Sequence, residues 1–121
     1  MRSTILNIAT TAFAVASSVS CGNSVDCSSN ALYSLQITVV DAQTGARLCD
    51  ATVTARDGTF VEGLSCTGGP ECRCHGVLER PAKYEVTAVK SGYQSNTITV
   101  VAGQDECHVT PAYAEIKLTH D

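Results

Sequence analysis

Seven cysteines in a chain of 121 residues constrain this sequence more than any other feature. Such density is the mark of a small domain that closes itself with disulfides in an oxidising compartment. The rest of the composition agrees, because the chain has no Trp and only 2 Phe, so its core must be assembled from small aliphatic side chains. The length suits one globular domain. With 8 basic and 12 acidic groups the formal net charge is −4. That balance offers no attraction to phosphate backbones, and nucleic acid is not expected as a partner.

Arg2 is the only charge before Asp26, and residues 5–16 form an apolar run. The run has the length of a signal-peptide core and is too short to cross a bilayer as a helix. Residues 1–20 therefore read as an export signal. Ser18-Val19-Ser20-Cys21 resembles the bacterial lipobox, with Ser18 where Leu is usual. In that reading Cys21 is lipidated and becomes the first mature residue, and the partner it implies is a membrane held through the lipid. The alternative is ordinary cleavage that leaves Cys21 a plain thiol. Cysteine parity favours lipidation, since Cys27, Cys49, Cys66, Cys72, Cys74 and Cys107 then make an even set. The expected location is the bacterial cell envelope, with Gly22 after Cys21 pointing to the outer membrane, facing the periplasm or the surface. Residues 22–30 are polar and Ser-rich, so a flexible tether is expected over residues 21–32. The domain is expected over residues 33–121.

Within the domain, Leu35, Ile37 and Val39 alternate with Gln36, Thr38 and Val40. Period-two alternation of this kind marks a strand with one buried face. Ala51, Val53 and Ala55 repeat the pattern, Asp57-Gly58 signals a hairpin into residues 59–64, and Tyr84, Val86 and Ala88 alternate again. Further strands are expected over residues 74–78, 97–101 and 109–118, the last interrupted at Pro111. No helical period is sustained after Cys21. Seven short strands punctuated by Gly, Asp and Pro predict an all-β fold, an antiparallel sandwich with little or no helix.

The run of residues 35–41 followed by Thr44-Gly45, Cys49-Asp-Ala-Thr-Val53, Tyr84-Glu-Val86, Ser91-Gly-Tyr93 and Cys107-His108-Val109 resembles the carboxypeptidase regulatory-like domains. The resemblance covers residues 35–118 and implies a seven-stranded, transthyretin-like sandwich of a kind frequent in bacterial lipoproteins. Its motifs are structural turns, so it informs fold more than function. It also implies that Cys49 and Cys107 lie close together, making Cys49 with Cys107 the first expected disulfide. Cys66 would then take Cys72 or Cys74, and Cys27 the other. Cys72 and Cys74 sit two apart on one side of a strand and are not expected to bridge each other.

Cys66, Cys72, Cys74, His75, Cys107 and His108 could be read as zinc ligands, but the spacing lacks two separated knuckles and export favours disulfides. No metal or other cofactor is expected. The near-neutral bases are His75, His108 and His120, none in a catalytic motif, and with Arg73 and Glu79 the first two are the exposed groups that could assemble a site. Tyr33, Tyr84, Tyr93 and Tyr113 could contact a ligand, although Tyr84 and Tyr93 fall at structural positions. The transthyretin-like fold also hosts 5-hydroxyisourate hydrolases, whose terminal Tyr-Arg-Gly-Ser motif is replaced here by Leu118-Thr-His-Asp121. The expectation is a non-catalytic, lipid-anchored envelope module with an accessory, binding or structural role. Its partner would be a protein or carbohydrate of the envelope. The alternatives are a transthyretin-like hydrolase and, further off, a small Cys/His metal-binding protein.

Overall fold

The structure, a computed structural model, describes residues 26–121. The expected export signal over 1–20 and the expected lipidation position Cys21 lie outside the described residues. Within that span ten strands follow one another without a helix: β1 (Tyr33–Asp41), β2 (Thr52–Asp57), β3 (Phe60–Gly63), β4 (Ser65–Cys66), β5 (Cys74–Leu78), β6 (Ala82–Val89), β7 (Tyr93–Gln94), β8 (Asn96–Gln104), β9 (Val109–Thr110) and β10 (Ala112–His120). They form two five-stranded sheets, ordered β4-β5-β1-β10-β7 and β3-β2-β6-β8-β9.

The alternation read from the sequence becomes the interface between the sheets. Leu35, Ile37 and Val39 of β1 and Ile116 and Leu118 of β10 meet Val53 and Ala55 of β2, Tyr84, Val86 and Ala88 of β6, and Val100 and Ala102 of β8 in one buried cluster. Tyr84 is the largest fully buried side chain among the described residues. Its hydroxyl is satisfied inside the fold, donating to the Arg80 carbonyl and accepting from the Arg80 guanidinium, as a buried phenol requires. The β2–β3 hairpin closes at Asp57 opposite Phe60, with Gly58 at φ 62° in the loop position that needs a left-handed backbone.

Two expectations are corrected. The strands number ten rather than seven, because the chain changes sheets across single residues: Leu64 separates β3 from β4, Ser95 separates β7 from β8, and Pro111 separates β9 from β10. Each crossing leaves a two-residue strand on one side, too short to imprint a period on the sequence. The sandwich is also not wholly antiparallel. β10 runs parallel to β1, from Leu35 opposite Ala112 to Asp41 opposite Leu118. The residues leading into β10 therefore lie at the start of β1 and not at its end.

Candidate functional site

That parallel pairing decides the disulfides. Cys49 follows the end of β1 and bonds Cys72, which leads into the antiparallel neighbour β5. Cys107 precedes β9 and β10 at the opposite end of β1, where it bonds Cys27 of the incoming N-terminal segment. The expected Cys49–Cys107 bridge is thus replaced by Cys49–Cys72 and Cys27–Cys107, since the two residues sit at opposite ends of the first sheet. Cys66 bonds Cys74, its direct cross-strand neighbour in the β4–β5 pair. Cys72 and Cys74 each reach a different partner, as their spacing demands. In the chain-entropy view the closures of 80, 23 and 8 residues are worth about 4–5, 3 and 2–3 kcal/mol respectively. All six described cysteines are consumed in these bonds.

Around Cys27–Cys107 the structure gathers a polar cluster. Glu79 follows β5 in a left-handed backbone conformation at φ 46°. One carboxylate oxygen accepts the Val109 N–H at 2.9 Å, and the other accepts the Leu32 N–H at 2.9 Å and faces His108 Nδ1 at 2.6 Å. The backbone donors, chiefly Val109, hold the Glu79 carboxyl below its ordinary pKa. On the other side of the ring, His108 Nε2 lies 3.1 Å from Ser28 Oγ. Ser28, His108 and Glu79 thus align in the order of a nucleophile, a base and an orienting acid. Backbone donors beside the ring have other work, because the Cys107 and His108 N–H groups both go to Asp105 Oδ1 at 2.8 Å. The described part of the expected tether, residues 26–32, has no strand of its own but is fastened to the domain at Cys27, Ser28 and Leu32.

A second concentration of polar groups lies on the flank where β3, the edge of the second sheet, faces β5 and β4 at the edge of the first. There a cleft of about 380 Å³ is lined by Tyr33, Phe60, Glu62, Ser65, His75 and Arg80. Glu62 reaches from β3 to accept the Val77 N–H at 2.8 Å. It crosses above Gly76, where an added Cβ would lie 2.6 Å from Leu64 Cδ2 and 3.0 Å from Glu62 Oε2. Arg80 lies over the Phe60 ring at 3.9 Å and pairs with Asp57 at 3.1 Å. Hydrogen bonds to Tyr84 and then Asp57 raise its pKa above the ordinary guanidinium value, so it stays charged. The rings of Tyr33 and His75 pack at 4.5 Å.

Of the groups singled out in the sequence, His108 and Glu79 come together, His75 lines the cleft, and Arg73 pairs with Glu71 at 3.2 Å while lying over Tyr113 on the outer face of the first sheet. His120 is held within the first sheet. It belongs to β10 opposite Tyr93 and packs on that ring at 4.7 Å. Ser28 was invisible in a Ser-rich polar stretch. The signal that could have found it is the repeated Cys-polar dipeptide: pairing Cys27 with Cys107 makes Ser28 and His108 neighbours. No protein family profile matches the chain, and a search of curated protein sequences returned no significant match.

Proposed function

We propose that this chain is a non-catalytic, lipid-anchored module of the bacterial cell envelope, related to the carboxypeptidase regulatory-like domains of transthyretin-like fold, whose role is to hold a binding surface close to a membrane. The observation that carries the reading is the Cys27–Cys107 bond, together with the export signal and lipobox read from the sequence. It fastens the chain to the domain six positions after the expected lipid-bearing Cys21. An extended run of that length spans roughly 20 Å at most, so the sandwich would sit against the membrane surface rather than at the end of a long leash. Three disulfides suit the oxidising space outside the inner membrane. The test is fractionation of the full chain from a lipidating bacterium. The wild type should sediment with membranes and the Cys21→Ala variant should become soluble; a soluble wild type with an unacylated Cys21 overturns the proposal.

A second reading, a hydrolase, is favoured by one observation, the alignment of Ser28, His108 and Glu79. We place it second because the Glu79 carboxylate is also occupied by the Leu32 and Val109 N–H groups, and the Cys107 and His108 N–H groups beside the ring both go to Asp105.

A further inference from the structure

We propose that the cleft between β3 and β5 binds a neutral saccharide of one or two rings; the inference rests on the binding-module reading and names its ligand class. The first support is hydrogen-bonding capacity left unused. Several carboxylates elsewhere in the domain are occupied: Asp41, Asp50, Glu79 and Asp105 each meet two or more donors or a lysine. In the cleft the Tyr33 hydroxyl, the Ser65 hydroxyl, both His75 ring nitrogens and the second oxygen of Glu62 have no hydrogen-bond partner among the described residues. Acceptors and donors therefore line one concavity whose volume lies within the range of small-molecule sites.

Charge selects the class. Among the described residues the cation of the cleft lining is Arg80, already paired with Asp57 and covered on one face by Phe60. Glu62 adds a negative charge to the same lining. An anion would meet the Glu62 carboxylate and a cation the Arg80 guanidinium, so a neutral ligand rich in hydroxyls suits a lining that carries both. The exposed Tyr33 ring, packed beside His75, offers an apolar surface for the C–H face of a pyranose.

Backbone geometry supplies an independent observation. Val77 has φ 62° and Glu79 has φ 46°, and a β-branched residue in that region is a genuine outlier. Strain of this kind persists only where surrounding structure enforces it, and it gathers at ligand sites. Here the enforcement is visible: Glu62 holds the Val77 N–H and the Leu32 carbonyl holds the Glu79 N–H at 2.9 Å. Between the two, Leu78 is turned out at the cleft rim, 55% exposed.

The experiment is a titration of the oxidised full chain, purified in a detergent without a sugar headgroup, with cellobiose, maltose and chitobiose, followed by amide and ring resonances. Saturable shifts should fall on Tyr33, His75, Gly76 and Leu78 with at least one of these sugars. Tyr33→Ala and Glu62→Gln should each weaken that binding about tenfold or more, while Tyr113→Ala, on the outer sheet face, leaves it unchanged. The amide spectrum of each variant reports folding separately from binding. Absence of saturable shifts up to about 20 mM sugar, shifts centred on Tyr113, or shifts only with glycylglycine as a zwitterionic control would each overturn the saccharide assignment. Those outcomes leave the membrane fractionation untouched, so failure here and failure of the envelope reading are separable.

Discussion

Tyr93 donates its hydroxyl to Asp41 Oδ2 at 2.8 Å, joining β7 to the end of β1. The other oxygen of Asp41 accepts the Gln43 and Thr44 N–H groups at 2.8 and 3.0 Å. These contacts, the Thr44 amide first and the tyrosine next, lower the Asp41 pKa from 3.8 to about 2. The folded state thus binds this proton more weakly than the unfolded chain, so the contribution is complete above pH 3.8 and is lost as pH falls toward 2. Melting temperature measured from about pH 6 down to pH 2 should fall in that window for the wild type. Asp41→Asn should melt lower at the neutral end and lose less on acidification. An acid limb as steep in the variant as in the wild type would refute the assignment.

The disulfides make a prediction about pairs of variants. Cys49→Ser and Cys72→Ser should cost the same, about 3 kcal/mol of unfolding free energy on chain-entropy grounds, and Cys27→Ser and Cys107→Ser should form a second matched pair at about 4–5 kcal/mol. Denaturant titrations measure both. Proteolytic peptides of the unreduced protein should carry Cys49 linked to Cys72, and recovery of Cys49 linked to Cys107 would contradict the structure directly.

A methyl group at Gly76 fits only if the Leu64 and Glu62 side chains shift. A Cβ there meets Leu64 and the Glu62 carboxylate that holds Val77, so Gly76→Ala should destabilise the domain by about 1–3 kcal/mol through overpacking. At Gly103 an added Cβ would meet nothing within 4 Å, and Gly103→Ala should stay within about 0.5 kcal/mol of the wild type. Equal stability of the two variants in urea would show that the cleft floor yields.

Ser28 is expected to be a fastening and not a nucleophile. A fluorophosphonate probe should leave it unlabelled, and the purified protein should not turn over 5-hydroxyisourate or a nitrophenyl ester. Ser28→Ala should therefore be silent in both assays, whereas Glu79→Ala, which strands the Leu32 and Val109 donors, should lower the melting temperature. Labelling of Ser28 that disappears in His108→Ala would make the hydrolase reading the correct one.

What could be read ahead of the structure follows from where burial imprints a pattern. β1, β2, β6 and β8 each bury one face, and their alternation stands in the sequence. Residues that change sheets bury neither face regularly, so β4, β7 and β9 left no trace beyond the break at Pro111. The direction of β10 was equally silent, because alternation is identical in parallel and antiparallel strands. The Cys49–Cys107 pairing, expected from the family resemblance, fails on that direction, because the parallel β10 puts Cys107 at the far end of β1 from Cys49, and with it went the chance to bring Ser28 to His108. Glu79 could be named as a polar candidate, but its left-handed backbone and its grip on Leu32 depend on β5 and β1 already lying side by side.

The Cys27–Cys107 bond also has a mechanical meaning. In an anchored protein, tension from the membrane enters the chain upstream of Cys27. Without the bond it would pass along residues 28–32 to Tyr33 and open the β1–β5 pairing from its end, beginning at Tyr33 opposite Leu78. With the bond in place, much of the load is transferred to Cys107, between β8 and β9, in the other sheet. Pulling on a partner seated against β3 and β5 would then strain the sandwich across both layers at once, a loading that many hydrogen bonds resist together, rather than unzipping its central strand one bond at a time.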